Sequence, residues 1–158
     1  MVSTLSLTTD DAPVQALITQ PYPTFTKLAQ IPYRPWVMEG VEYKLMSVDK
    51  RSGGFTCMLR VAAEVKAPVH HHMGGIEVFV VSGDICYTPE DMGGAGDYIF
   101  EPAGDIHEPK SPNGCELFCV FYGPIAGLDD AGAMVGVVDA KLMLQMANEH
   151  GVAAHVRQ

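Results

Sequence analysis

Between Val41 and Val138 the sequence runs in short stretches rich in Val, Ile, Phe and Tyr, broken by Gly, Pro or Asp at intervals of about ten residues. This punctuation constrains the chain more than any other feature. Strands of this length and number must cover their edges, because an open row of unpaired backbone groups invites association, so they close into a barrel or stack as a sandwich. Strands are expected over residues 42–48, 55–65, 76–87, 97–100, 116–122 and 134–138, with turns at 50–54, 92–96 and 129–132. One helix is expected over residues 139–150, with Asp139 as N-cap and Gly151 just past its end. Leu142, Met143, Met146 and Ala147 fall on overlapping faces of it, which suits a helix lying over an open end of the β structure. Ahead of the strands, Pro13, Pro21, Pro23, Pro32 and Pro35 each remove a backbone donor and push the preceding residue toward extended backbone, so residues 1–36 read as an extended arm. No repeat or linker divides the 158 residues, and a single domain over 1–158 is expected, with its barrel at about 40–138.

Charge and composition exclude several partners. A net charge of -9, with no basic run longer than Lys50-Arg51, repels phosphate backbones and anionic lipid, so neither nucleic acid nor membrane is an expected partner. No apolar run approaches the roughly 20 residues that span a bilayer, and the opening residues lack a signal-peptide pattern, which points to the cytoplasm. Cys57, Cys86, Cys115 and Cys119 form no Cys-x-x-Cys pair and lie in or beside apolar runs, as free buried thiols do. There is no Gly-x-Ser-x-Gly elbow, no phosphate loop ending in Gly-Lys-Ser/Thr and no His-Glu-x-x-His helix.

Three of the six histidines stand together as His70-His71-His72. In a strand, residues two apart share a face, so His70 and His72 converge while His71 turns away. Two imidazoles make half of a metal site, and His107, in Gly96-x5-Pro102-x-Gly104-x2-His107, is the best distant partner. His150 and His155, at the helix end and in the tail, read as solvated side chains.

Together these residues resemble the cupins, whose first motif has a His-x-His pair, three or four residues, a glutamate and then a glycine, and whose second reads Gly-x5-Pro-x-Gly-x2-His. His70, His72, Glu77 and Gly83 fit the first, one residue short between the last two, and Gly96, Pro102, Gly104 and His107 fit the second throughout. Glu64 stands where the first motif usually opens with glycine, and Ser111 where the second often closes with asparagine. The resemblance implies an all-β, double-stranded β-helix, the jelly-roll barrel. The segments 100–107 and 121–132, followed by a closing helix, are similar to the small single-domain dioxygenases that cleave acetylacetone or 2,4'-dihydroxyacetophenone.

That resemblance implies one divalent metal ion per chain, Fe(II) natively, held by His70, His72 and His107; nickel, zinc or manganese can occupy the same donors on purification. It also implies a carboxylate behind the ligands at Glu101, which would hydrogen-bond a ligand histidine's free N–H or a bound water. Strand parity leaves Glu77 open as a fourth ligand, because Met73-Gly74-Gly75 interrupts the alternation between His72 and the next strand. In the acetylacetone-cleaving enzymes an arginine lines the site from the strand that here runs Asp84-Ile85-Cys86-Tyr87-Thr88, which has none. The expected partners are a small-molecule substrate and dioxygen, with a second copy of the chain as homodimer partner. The alternatives are a cupin that binds or senses a small molecule without turning it over, and a metal-dependent isomerase or decarboxylase, since the fold alone does not choose.

Overall fold

The computed structural model describes residues 25–158. After a 3-10 turn at Leu28–Gln30 come β1 (Arg34–Pro35), β2 (Val41–Val48), β3 (Phe55–Val61), β4 (Val65–Lys66), β5 (His70–His72), β6 (Ile76–Thr88) and β7 (Asp91–Gly94). They are followed by β8 (Tyr98–Glu101), β9 (Ile106–His107), β10 (Lys110–Ser111), β11 (Cys115–Phe121), β12 (Ile125–Leu128), β13 (Met134–Val138) and helix α1 (Ala140–Glu149). Nine strands form one curled sheet with the path β1-β2-β3-β11-β6-β10-β4, and β7 and β8 also pair with β6. The second sheet has the order β13-β12-β5-β9.

Alternation along the central strands builds the core. Phe55, Cys57 and Leu59 of β3, Ile76, Val78 and Val80 of β6, and Leu117, Cys119 and Phe121 of β11 all turn inward and are buried. Their neighbours face outward, where Phe79 pairs with Tyr98 on one side and Phe118 on the other, and all three remain exposed. The cysteines are free and buried; Cys57 and Cys119 lie directly opposite one another, and their hydrogen bond together with burial pushes the Cys119 thiol well up.

Helix α1 starts as its sequence implies: the Asp139 side chain accepts from Leu142 N at 2.8 Å, and Gly151 past the end has φ 68°. Ala140, Met143 and Ala147 join the same buried cluster as Tyr43 and Leu45 of β2, so the helix, which follows edge strand β13, extends the second layer over the β2 end of the large sheet.

Several elements differ from the sequence expectation. The expected strand at 55–65 breaks after Val61 because Glu64 takes the left-handed conformation, φ 64°, the only non-glycine residue among those described to do so. The position where a cupin motif opens with glycine has thus kept its backbone without its glycine, at a cost of about 1–2 kcal/mol. The expected turn at 92–96 is largely strand, since Asp91–Gly94 pairs with β6, and the chain reverses on either side of it. The short strands β5, β9, β10 and β12 carry too few residues to show a period. Of the expected arm, residues 1–24 lie outside the described residues; the rest folds back on its own chain, with Arg34 paired to Tyr43 and Lys44 Nζ donating to Leu28 O at 2.9 Å.

Candidate metal centre

His70 and His72 point into the barrel from β5, and the register sets His70 directly opposite His107 of β9. Backbone bonds on both sides fix this pairing: His72 N donates to Asp105 O at 2.9 Å and Gly104 N to His72 O at 2.8 Å. Gly104, with φ 100°, makes the turn that delivers His107, a conformation costly for other residues. Ring nitrogens of the three histidines lie within 4.8 Å of one another, two of the side chains buried and His107 partly so. His70 Nδ1 is engaged by Pro68 O at 2.8 Å, which leaves Nε2 to face the centre. The Nε2 atoms of His72 and His107 approach to 3.1 Å.

The two glutamates are placed differently from one another. Ile76 and Val78 turn inward, so Glu77 between them faces outward, where its carboxylate accepts from Tyr122 OH at 2.7 Å. The sequence left Glu77 open as a ligand; its strand parity carries it away from the rings. Glu101 is buried, and its Oε2 lies 2.9 Å from His72 Nε2 and 3.2 Å from His107 Nε2. The resemblance implies that this carboxylate hydrogen-bonds a ligand histidine's free N–H or a bound water; the contacts it makes are with the nitrogens that converge.

Tyr87, which the sequence reading did not single out, donates its hydroxyl to Glu101 Oε1, and its ring lies 5.1 Å from that of His107. A bulge in β6 brings it there. Leu117 pairs with Val80 but Glu116 with Ser82, so Val81 is an extra residue and the inward set changes from even to odd numbers. Gly83, with φ 74°, follows the bulge so close to Gly114 that any Cβ would collide with the Gly114 carbonyl. A glycine inside a strand pattern is the sequence signal of such a bulge, and with it Tyr87 could have been placed on the inner face.

Burial holds His70 down to about 4, against the hydrogen bond to Pro68 O, so the ring is neutral and its lone pair free at neutral pH. Burial alone would push the Glu101 carboxyl up, but hydrogen bonds from His107, His72 and Tyr87 together outweigh it and hold the group well below the usual carboxylate range. Burial and the bond to Glu101 push the Tyr87 phenol well up, so it stays a donor. The centre stands between two spaces. One is a barrel cavity of about 200 Å³ walled largely by apolar side chains such as Leu59, Val78, Leu117 and Phe121, with His70, His72 and Glu101 on its lining. The other is a broader cleft of about 720 Å³ that brings Tyr87, Asp91, Asp97 and Asp105 to the opposite side of Glu101 and His107.

Imidazoles beside a carboxylate suit a divalent first-row cation. The 3.1 Å between His72 Nε2 and His107 Nε2 agrees, since cis ligands at about 2.1 Å from an octahedral ion stand about 3.0 Å apart. His150 and His155 do not join the centre. Nor are they solvated as the sequence suggested: His150 Nδ1 bonds Tyr43 OH at 3.1 Å and His155 Nε2 bonds Leu45 O at 2.7 Å, both anchoring the C-terminal segment to β2.

The sequence matches a family model described as the ChrR cupin-like domain over residues 22–126. Among solved structures, an RmlC-like cupin from Ralstonia eutropha JMP134 is 25% identical, covering 82% of this chain and 87% of that one with a TM-score of 0.73. An acetylacetone dioxygenase from Acinetobacter johnsonii is 19% identical, covering 86% and 92%, with a TM-score of 0.66. ChrR from Rhodobacter sphaeroides, solved as an anti-sigma factor in complex with SigE, is 19% identical, covering 76% and 70%, with a TM-score of 0.51. No curated protein matches the sequence. At these identities the last two likenesses are likenesses of fold. No helix among the described residues is long and apolar enough to cross a membrane.

Proposed function

The chain belongs to the ChrR cupin-like family, and from that premise we propose that it is a metal-dependent dioxygenase, using Fe(II), that cleaves a C–C bond of a β-diketone or an aryl hydroxyketone bound as its enolate. The observation that carries this reading is the convergence of three imidazoles on one point at the wall of an apolar cavity. A bound ferrous ion would supply Lewis acidity, which favours an enolate over a neutral ketone, and the redox chemistry that dioxygen requires.

The chain's own residues do the rest. Leu59, Val78, Leu117 and Phe121 take the apolar part of the substrate and exclude water, which strengthens every electrostatic interaction at the centre. The cavity, about 200 Å³, is lined largely by apolar side chains, which suits an aryl ketone over the more polar acetylacetone. The strand that carries an arginine in acetylacetone-cleaving enzymes presents the neutral Tyr87 instead, which also argues for a different ketone. Tyr87 keeps its proton and holds Glu101 in place from the cleft side. Both oxygen atoms of dioxygen end in the products, a carboxylic acid and a second carbonyl fragment, so no further reductant is consumed.

The test is oxygen uptake by iron-reconstituted protein against a panel of β-diketones and aryl hydroxyketones. Uptake is expected with at least one aryl ketone and is abolished in His107→Ala. Absence of uptake with every compound, from protein shown to hold iron, would favour the second reading, a metal-holding cupin that binds a small molecule without turnover. The family's namesake, an anti-sigma factor in one of the similar structures, is the observation on that side.

A further inference from the structure

A cupin glutamate separated from the His-x-His pair by three residues would fall at position 76, and one separated by four at position 77. Position 76 faces the site but is Ile; position 77 is Glu but faces out, bonded to Tyr122. Neither spacing therefore delivers a carboxylate to the centre. The β6–β8 register sets Ile76 directly opposite Glu101, and Glu101 is the inward-facing residue of that pair that carries the charge.

We propose that Glu101 is itself a metal ligand, so that the site is three histidines and one carboxylate, with the carboxylate supplied across the strand pair from where the first motif would place it. The inference rests on the reading that the site holds a divalent ion. Its geometric basis is a triangle of donor atoms. His72 Nε2, His107 Nε2 and Glu101 Oε2 stand 3.1, 2.9 and 3.2 Å apart, close to the edge of about 3.0 Å expected on one face of an octahedral ion. A ring nitrogen of His70 lies within 4.8 Å of those of His72 and His107.

An outer role, in which Glu101 only accepts hydrogen bonds from ligand histidines, requires it to touch nitrogens that do not bind the ion. The nitrogen of His70 that faces away is taken by Pro68 O, and that of His72 is buried with no partner. Glu101 reaches neither. The buried carboxylate is also better placed beside an ion than beside imidazoles alone, because no lysine or arginine pairs with Glu101 among the described residues. With Glu101 bound, the centre carries a net charge of about +1 in place of +2, and two coordination positions stay open in place of three.

Cobalt(II) binding to chelator-treated protein tests this without any turnover. The infrared difference spectrum between cobalt-loaded and metal-free protein should show a shifted carboxylate stretch, lost in Glu101→Gln and kept in Glu77→Gln. The dissociation constant for cobalt should rise about a hundredfold or more in Glu101→Gln, beyond the ten- to hundredfold typical of residues behind the ligands, and stay unchanged in Glu77→Gln. A wild-type difference spectrum with no shifted carboxylate band overturns the proposal, and this reading does not depend on whether Glu101→Gln folds. A band that persists in folded Glu101→Gln, or protein that takes up no cobalt, overturns it equally. Oxygen uptake from a site whose carboxylate band does not move would sink this inference and leave the dioxygenase reading standing. A moving band without uptake would do the reverse.

Discussion

Glu116 and Glu101 are each held by a tyrosine hydroxyl, the first by Tyr33 at 3.0 Å and the second by Tyr87. On the outer face of β11, Glu116 also takes Arg60 Nη2 at 2.9 Å, and its side chain is 30% exposed. That permanent cation, against a smaller effect of burial, holds its carboxyl below the ordinary value. Inside the barrel the Glu101 side chain is 9% exposed and its remaining partners are imidazoles. The outer cluster is complete as it stands: a carboxylate, a guanidinium and a phenol whose ring also stacks under Arg60 at 3.8 Å. The inner cluster has the carboxylate and the phenol but no fixed positive charge. The difference teaches that similar side chains fasten two strands in one place and stand among three imidazoles that could hold a cation in the other, and that the identity and burial of the third partner decides which.

The sharpest way to break this comparison is to add the cation. A divalent ion at a thousandfold excess over its dissociation constant should stabilise the wild type by about 4 kcal/mol, read as a rise in melting temperature. His72→Ala should lose that rise and Glu116→Gln should keep it. Equal gains in both variants would mean that the ion binds elsewhere.

Acid should separate the regions next. In metal-free protein His70 has a folded-state value of about 4, below its ordinary 6.5. The unfolded chain therefore binds the extra proton between those values, and the contribution to stability is complete above pH 6.5 and is lost as pH falls toward 4. About 3 kcal/mol is expected from this group, with Glu101, also held down, adding to the fall at lower pH. Urea unfolding at pH 7, 5.5 and 4.5 measures it; His70→Gln should flatten the profile above the carboxylate range, and an unchanged profile would contradict the burial argument. The smallest effect belongs to the outer cluster. Arg60→Gln should cost under about 1 kcal/mol and the cost should shrink in 1 M salt, as exposed pairs do. A larger, salt-independent cost would show that the arm depends on Arg60 for packing.

The parts of the site that follow from fixed spacing were legible in the sequence. His70 and His72 share a face because they are two apart, and His107 sits after a proline and a left-handed glycine that can only make a turn. What depends on register was not. Whether Glu77 or Ile76 faces inward is decided by how β6 resumes after Gly74 and Gly75, and the place of Glu101 by its pairing with Ile76. The fold shows the same division. Long alternating strands such as β2, β3 and β11 declare themselves, while β9 and β10, two residues each, exist only because neighbours pair with them. His150 and His155 looked solvated because the residues that bind them, Tyr43 and Leu45, are about a hundred positions away.

Because Val81 has no counterpart on β11, the side chains that line the acidic cleft depend on a count as well as on identity. Loss of the extra residue itself would leave Ile85 and Tyr87 on the inner face, whereas loss of one codon between Gly83 and Ile85, with the bulge kept, would turn both away from the centre and bring Cys86 to face it. A lineage could then acquire a new cleft wall in one event, where point substitution alters one side chain at a time. Alignments that close this gap would compare residues that face opposite ways.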